Sequence, residues 1–263
     1  MLVGVMAAYA VVRWKARPKT HIVAEYWVYL GTKDVPSQDD VMTWLMKSNP
    51  NPGFSTKEAL LFSDVRVRIT VVTRHKNVAA FRPDLFIGGT LTTAQIASLA
   101  HSESLVKIKF GSEEPTRDRR YLTFLTHVAA AYAVFSQSPL IYDCVLAKPW
   151  SPEEFMGMLK QEPDASAAEL HTEIVWKHVG DTVSAETVGM TKIGLPDIMA
   201  EGVSSDMKIL TESLLRSAIK MVWLEPALPE TLQVESYGDT FAFRFPPARN
   251  GFTRARVSRI QAT

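Results

Sequence analysis

The pattern of apolar and polar positions divides the chain into strands and helices. From Val65 to Thr73 apolar residues alternate with polar ones, which is the pattern of a half-buried antiparallel strand. Other short runs are rich in aromatic and β-branched residues, which favour strands. These runs predict strands at residues 21–30, 84–90, 105–110, 140–146, 173–179, 231–236 and 241–245.

Helices are predicted where apolar residues recur at three- and four-residue spacing. The segment 117–137 is apolar on most sides, so we expect a central helix packed against a sheet. Ser151, Pro152 and Glu154 mark another helix start, with a capping serine, a proline at the first helical position and a capping glutamate. Two further predicted helices begin near Ser37 and Thr92, and a third spans residues 205–223.

The order of these elements predicts an α+β fold. Some strands are separated by helices, and others are joined by turns at Gly180-Asp181-Thr182 and Gly238-Asp239-Thr240. We therefore expect a mixed or antiparallel sheet packed with about five helices, the central one near residues 117–137. In this prediction residues 19–160 and 169–263 are the two α+β halves of one compact unit, and segment 161–168 is the candidate linker.

The N-terminal segment 1–18 is apolar at first and then basic. Residues 1–12 are almost wholly apolar, and Arg13, Trp14, Lys15 and Arg17 follow. As a helix this apolar run would span about 18 Å, against a hydrocarbon core of about 30 Å. The segment matches either the last part of a membrane anchor with an interfacial collar, which would tether a cytoplasmic body to the inner membrane, or an element docked on that body.

Charge is unevenly distributed, although the formal net charge is only +1. Residues 1–20 carry +4 and residues 244–263 carry +5, which leaves the body at −8. Such basic termini are either solvated or in contact with anionic lipid or nucleic acid. Arginines on an edge strand would resist sheet-to-sheet pairing, and a single aromatic beside them gives no strong nucleic-acid signal. The residues concerned are Phe252, Arg254, Arg256 and Arg259.

The sequence lacks the patterns of common catalytic and metal sites. No two of the six histidines have His-x-x-x-His or His-Glu-x-x-His spacing, and no P-loop, dinucleotide-binding or nucleophile-elbow motif occurs. The single cysteine, Cys144, lies among apolar neighbours, which favours a small buried side chain over a nucleophile. We therefore predict no metal and no cofactor, and we assign no catalytic residue.

The predicted loop at residues 187–198 combines two glycines, a proline and several polar residues, and it lies between a predicted strand and a predicted helix. Such loops have a specified backbone conformation and tend to carry function. Asp143, at the end of a predicted strand, and Asp197, after a proline, are either ligand groups or acceptors for loop N–H groups. The candidate binding residues are Thr187, Gly189, Met190, Lys192, Gly194, Pro196, Asp197 and Asp143.

Several motifs occur in a fixed order in the second half of the chain. Asp143, the run 150–155, the loop 187–197 and a Gly-Asp-Thr turn after a helix follow one another. This order resembles bacterial proteins of a domain-of-unknown-function family, the four-thousand-two-hundred-sixty-one class. In that family a Thr-x-Gly-Met/Leu-x-x-Phe/Ile-Gly-x-Pro-Glu/Asp segment precedes a helix and a Gly-Asp-Thr strand pair. The likeness covers residues 84–245, with Ile193 in place of an aromatic and Asp197 where glutamate is commoner. It implies a fold and supplies no catalytic residues.

These observations favour a non-enzymatic module that binds another protein, of the accessory or immunity type found in bacteria. The alternative is a hydrolase or transferase of unfamiliar type, with a site assembled from Asp143, Cys144, Lys192 and Asp197. A deep polar cleft around Asp143, Asp197 and a histidine would favour the enzyme.

Overall fold

Strands and helices alternate along the residues that the computed structural model describes, which are 22–47, 64–86, 91–136, 138–162, 164–179, 182–225, 227–245, 252–254 and 256–260. The strands are β1 (Ile22–Leu30), β2 (Val67–Thr73), β3 (Ser104–Ser112), β4 (Leu140–Asp143), β5 (Lys148–Trp150), β6 (Glu173–Val179), β7 (Thr182–Val188), β8 (Asp197–Val203), β9 (Thr231–Ser236), β10 (Asp239–Arg244), β11 (Phe252–Arg254) and β12 (Arg256–Ile260). The α-helices are α1 (Gln38–Lys47), α2 (Thr93–His101), α3 (Arg120–Phe135), α4 (Pro152–Gln161), α5 (Ala168–His171) and α6 (Lys208–Val222).

The described strands form three sheets. The first has the order β2-β3-β1-β4-β5 and is antiparallel throughout. The second has the order β11-β8-β7-β6, in which β11 runs parallel to β8 and the other pairs are antiparallel. The third, β12-β10-β9, is antiparallel. The predicted α+β class with mixed or antiparallel pairing is confirmed, with three sheets where a single one was expected.

Helix α3 is the central helix, as its sequence predicts. Every residue from Tyr121 to Ala133 is buried, because the helix packs on β1 and β3 and is covered by α1 and α4. The apolar core around it also takes in Met190, Ile193 and Leu195 from the loop before β8 and Trp223 from the end of α6. A second core lies between α6 and the second and third sheets, and its members include Ile198, Leu214, Leu215, Phe241 and Phe243.

Local signals place the helix starts and one hairpin correctly. The Ser151 side chain accepts a hydrogen bond from the Glu154 N–H, and the Glu154 carboxylate accepts one from the Ser151 N–H. Strands β9 and β10 are joined by Tyr237 and Gly238, whose φ angles are +53° and +81°. Positive φ at both positions defines a two-residue type I′ hairpin. Only Gly238 of the expected triplet lies in the turn, since β10 begins at Asp239.

Two predicted strands are wrong in extent. The prediction for 84–90 fails where it can be compared, because Pro83–Leu85 is a 3₁₀ turn; residues 87–90 lie outside the described part. Strand β4 stops at Asp143, short of residue 146, because the Asp143 carboxylate accepts the N–H groups of Val145 and Leu146 and turns the chain. A side chain that bonds its own backbone in this way competes with the strand ladder.

Some predictions fall on residues that the structure does not describe. Segment 1–18, and with it the expected membrane tether, lies outside the described residues, as does the turn at residues 180 and 181. Among the described helices, none is long and apolar enough to cross a membrane. The candidate linker 161–168 carries buried Ala165 and Ala168, and the Ser166 carbonyl accepts the Trp223 indole N–H at 2.9 Å. The division into two halves at this segment stays a prediction.

Candidate functional site

The loop 189–196 connects β7 to strand β8, whereas the sequence predicted a helix after it. Its 3₁₀ turn is flanked by two glycines in the left-handed region. Gly189 has φ +113° and Gly194 has φ +78°, and the 3₁₀ turn Met190–Ile193 lies between them. A Cβ atom on Gly189 would lie 2.1 Å from the carbonyl oxygen of His171. Only glycine fits both the conformation and this close approach. The loop is therefore pressed directly against the end of α5.

Thr187 and Asp197 close the base of this loop. The Asp197 carboxylate accepts the Met190 N–H at 3.1 Å and the Thr187 hydroxyl at 3.3 Å, and the Ile198 N–H donates to the Thr187 oxygen at 2.7 Å. Burial raises the pKa of Asp197 to about 6. Of the two roles predicted for Asp197, the structure gives it the second, as an acceptor for a loop N–H group.

The loop directs the side chain of Lys192 into the protein interior. Its Nζ atom lies 2.5 Å from Oδ2 of Asp143, at the end of β4, and the two side chains are 0% and 2% exposed. Burial lowers the pKa of Lys192, and the Asp143 carboxylate opposes that shift. The other oxygen of Asp143 accepts the N–H groups of Val145 and Leu146, both at 3.1 Å. Asp143 thus has the second of its two predicted roles, as an acceptor for loop N–H groups, and in addition it pairs with Lys192 inside the protein.

A histidine and a tyrosine complete this arrangement. His171 Nε2 lies 2.9 Å from the Ala165 carbonyl oxygen, which can only accept, so Nε2 carries the proton. His171 Nδ1 is then the acceptor that faces Lys192 Nζ and the Tyr26 hydroxyl, each at 3.3 Å. Burial, and then the Lys192 charge, lower the pKa of His171 well below its usual value. We call Tyr26, Asp143, His171 and Lys192 the ionic cluster.

The ionic cluster joins four separate parts of the fold. Tyr26 comes from β1, Asp143 from β4, His171 from α5 and Lys192 from the loop before β8. The Tyr121 hydroxyl of α3 also donates to the Lys192 carbonyl at 2.6 Å. Burial, aided by the Asp143 charge, raises the pKa of Tyr26, so its hydroxyl stays a donor. The cluster holds one cation, one anion and two neutral groups, and is electrically balanced.

The ionic cluster has no route for chemistry on an external substrate. A substrate would have to reach Nζ of Lys192 or the Asp143 carboxylate, and both side chains are enclosed. Cys144, the neighbour of Asp143, has a thiol whose pKa is raised by burial, so it is a poor nucleophile. Within the described residues, no group of three or more His, Cys, Asp or Glu side chains is arranged to hold a metal ion.

The structure brings together some of the eight predicted binding residues and separates others. Lys192 meets Asp143, whereas Asp197 bonds with Thr187 and Met190 inside the loop. None of the eight is exposed, and Thr187, Gly189, Met190, Lys192 and Asp143 are fully buried. Sequence reasoning missed Tyr26 and His171, because they are separated by 145 positions and neither forms a local motif.

Helix α6 presents a groove to solvent on the side away from the second core. A concavity of about 500 Å³ lies between α5, α6 and the β9–β10 turn. Two large side chains that line this concavity are exposed to solvent: Ile209 is 75% exposed and Tyr237 is 74% exposed. Lys220 of α6 pairs with Glu169 of α5 at 2.6 Å across the groove. We call this feature the α5–α6 groove.

Compared with protein-family models, with curated proteins and with solved structures, the chain gives no match. The resemblance to the domain-of-unknown-function family stays a prediction.

Proposed function

We propose that this chain is a non-enzymatic protein-binding module, an accessory or immunity-type protein of bacteria that contacts its partner through the α5–α6 groove. The observation that carries the proposal is the pair of exposed apolar side chains, Ile209 and Tyr237, beside a concave surface. Tyrosine is one of the residues that most often dominate the binding energy at protein interfaces. The enclosed ionic cluster supports the same conclusion, since it offers no reacting group to solvent.

The conformation of Tyr237 supports a functional role for this turn. Its φ of +53° is uncommon for a bulky residue, and asparagine is the usual choice at the first position of a type I′ turn. A strained residue of this kind costs about 1 kcal/mol and is retained where it serves a function. The strain here presents an aromatic ring at the groove, so binding is the gain that offsets it.

The charges around the groove indicate the chemistry of the partner. Glu169 pairs with Lys220, and Glu212 pairs with Arg216 at 2.8 Å, so the charged side chains of the groove are balanced within the protein. Charged pairs at the edge of an interface help to orient the partner and add little to the binding free energy. We therefore expect a partner that inserts an apolar protrusion, with affinity set by contacts to Ile209 and Tyr237.

The test compares variants in their ability to bind a partner isolated from the native host. Tagged protein is purified, co-purifying proteins are identified by mass spectrometry, and a stoichiometric partner is titrated against the variants. We expect Tyr237→Ala and Ile209→Ala each to weaken binding by about 30-fold, which corresponds to about 2 kcal/mol per anchor. Val78→Ala is the matched control, because Val78 is also apolar and 62% exposed but lies on a different element.

A further variant separates binding from stability. Tyr237→Asn should relieve the turn and raise the free energy of unfolding by about 1 kcal/mol, while it still removes the aromatic anchor. Partner binding that survives both Tyr237 variants and Ile209→Ala would rule out the groove as the interface. If no stoichiometric partner is recovered, the module proposal itself fails.

The enzyme alternative has less support. A hydrolase or transferase around Asp143 and Asp197 would need these carboxylates at one accessible site, whereas Asp143 is enclosed and Asp197 is bonded to its own loop. Loss of a measured activity in Asp197→Ala, with an unchanged melting temperature, would support the enzyme instead.

The localisation proposal rests on the sequence alone. We propose a cytoplasmic body held at the inner membrane by residues 1–18, because a basic collar follows an apolar run there. Deleting residues 1–18 should move the protein from the membrane to the soluble fraction. An unchanged distribution would remove the tether.

A further inference from the structure

Strand β2 forms an outer edge of the first sheet. It pairs with β3 on one side, and no other strand of the described part lies on its other side. Just before β2 the Gly111 N–H donates to the Arg66 carbonyl, and just after it the Arg74 N–H donates to β3's preceding residue, Glu103. The register between these two pairs is regular, and hydrogen-bonded pairs alternate with non-hydrogen-bonded ones along an antiparallel ladder. Even-numbered residues of β2 therefore bond to β3, and odd-numbered ones point their N–H and C=O groups away from it.

Ile69 and Val71 leave this edge open to a further strand. Their backbone groups point away from β3 by this alternation, and their side chains are 43% and 47% exposed. The two side chains lie beside Ile108 and Val106 of β3, which belong to the core around α3, so that core reaches solvent at this edge. An edge strand with unpaired backbone groups and apolar side chains is a template for pairing with another chain.

The other face of the same edge is cationic. Arg68 lies directly opposite Lys109 of β3, and Lys109 is paired with Glu25 at 3.0 Å, so the charge of Lys109 is balanced. Lys107 places its Nζ 4.3 Å from the centre of the Trp27 ring, which attracts the charge without neutralising it. Within the described part, no carboxylate forms an ion pair with Arg68 or Lys107. Two positive charges therefore lie beside β2 without a counter-charge, and β2 itself contains no acidic residue and no proline.

We propose that β2 binds an extended acidic segment of a partner protein, which adds a further strand to the first sheet. Alternate side chains of that segment would be apolar and cover Ile69 and Val71, and those between them would be acidic and face Arg68 and Lys107. A second copy of this chain fits less well, because pairing β2 with itself would bring the same positive charges together. This surface is separate from the α5–α6 groove, and the proposal does not depend on binding there.

The experiment compares two peptides that match the seven residues of β2 in length. In one peptide valine alternates with glutamate, and in the other valine alternates with lysine; both have capped ends and a fluorescent label. Each is titrated with the full chain, and binding is followed by fluorescence anisotropy. We expect the acidic peptide to bind at least about 10-fold more tightly than the basic one, which corresponds to about 1.4 kcal/mol. The difference should shrink as the salt concentration rises, because exposed charges are screened.

Variants test the backbone and the charges separately. Val71→Pro removes an N–H that points away from β3, so it blocks an added strand without breaking the ladder, and it should weaken the acidic peptide by about 10-fold or more. Val71→Thr keeps this N–H and is the matched control, with an expected change of less than about 3-fold. The double variant Arg68→Gln, Lys107→Gln should abolish the preference for the acidic peptide, and it keeps the test valid if Val71→Pro does not fold. Tyr237→Ala, in the α5–α6 groove, should leave both affinities unchanged.

Three results would overturn the proposal. The first is that the acidic peptide does not bind, or binds no more tightly than the basic one. The second is full binding of the acidic peptide by folded Val71→Pro, which would mean that the attraction is a general effect of charge. The third is a dimer of the chain in analytical ultracentrifugation that Val71→Pro dissociates, because β2 would then pair with a second copy.

Discussion

Replacing Lys192 with methionine tests how much the free energy of unfolding depends on the ion pair in the ionic cluster. Methionine keeps most of the length of the lysine side chain and removes its charge. The Asp143 carboxylate would then lie in the interior without a cation, next to a neutral His171 and the Tyr26 hydroxyl. A buried charge without a partner is strongly unfavourable, since neither water nor an opposite charge compensates its lost hydration.

The expected loss is a large part of the total stability. Removing one member of a buried ion pair costs about 3 to 5 kcal/mol, against about 5 to 15 kcal/mol for the unfolding of a typical protein. With a urea m value of about 3 kcal/mol/M, a loss of 4 kcal/mol would lower the unfolding midpoint by about 1.3 M. An exposed pair gives the comparison: Lys177 is 59% exposed beside Glu186, so Lys177→Met should cost at most about 1 kcal/mol.

The assay is equilibrium unfolding in urea followed by tryptophan fluorescence. Trp223 stacks on His171 with ring planes 7° apart, so its contribution to the emission of the six tryptophans is sensitive to the cluster. Four proteins complete a double-mutant cycle: the unmodified chain, Lys192→Met, Asp143→Asn and the double variant. Asparagine at position 143 keeps the oxygen that accepts the Val145 N–H. The double variant should be about 1 to 3 kcal/mol more stable than the sum of the single losses.

Two results would refute this reasoning. If Lys192→Met lost no more stability than Lys177→Met, the interior would be tolerating an unpaired Asp143 carboxylate, and the cluster would not hold the fold. If the two single losses simply added in the double variant, the contact between Lys192 and Asp143 would carry no specific energy.

Three further predictions concern the groups around the cluster. Gly189→Ala should lower the free energy of unfolding by at least about 3 kcal/mol, because it adds a clash with the His171 carbonyl to the strain of a positive φ. Gly238→Ala is the comparison: its φ is +81° with no atom nearby, so the loss in the same urea assay should be about 1 kcal/mol. In the unfolded chain His171 takes up a proton near its ordinary pKa of 6.5, whereas in the folded chain its pKa is lowered. The free energy of unfolding should therefore fall as the pH drops below about 6.5, and this part of the fall should be absent in His171→Phe. Asp197 has the opposite sign: its pKa is raised from 3.8 to about 6, so the protonated form favours folding and that contribution disappears as the pH rises through 6. The free energy of unfolding of Asp197→Asn, relative to that of the unmodified chain, should therefore rise by about 2 to 3 kcal/mol between pH 4 and pH 8. If this difference between the two proteins did not change with pH, the burial of the Asp197 carboxylate would be contradicted.

Elements that depend on neighbouring residues were predictable from the sequence. The start of α4 follows from hydrogen bonds between Ser151 and Glu154, which are three residues apart. The central position of α3 follows from side chains that are apolar on most of its sides. The specified conformation of the loop 187–198 was predicted from its two glycines and its proline, and both glycines adopt positive φ. In each case the interaction lies within a few residues, so the local pattern contains the information.

Predictions failed where a local preference was overridden. Residues 84–90 contain the apolar run of a strand, yet Pro83 restricts the backbone and Arg82 bonds to the Asp84 carboxylate across the turn. The segment after Asp143 has the composition of a continuing strand, but one carboxylate oxygen captures the N–H groups of Val145 and Leu146. Side-chain bonds to nearby backbone groups decide such boundaries, and composition alone does not show them.

The sequence by itself determined the α+β class, the central helix, the β9–β10 hairpin and the presence of a specified loop at residues 187–198. Only the tertiary structure decided what that loop does, because it carries Lys192 to Asp143, 49 positions away, and to His171, 21 positions away. The tertiary structure alone also formed the α5–α6 groove, which brings residues of α5, α6 and the β9–β10 turn together. The physical reason is that burial and ion pairing depend on distance in space, and distant segments meet only when a whole core is packed.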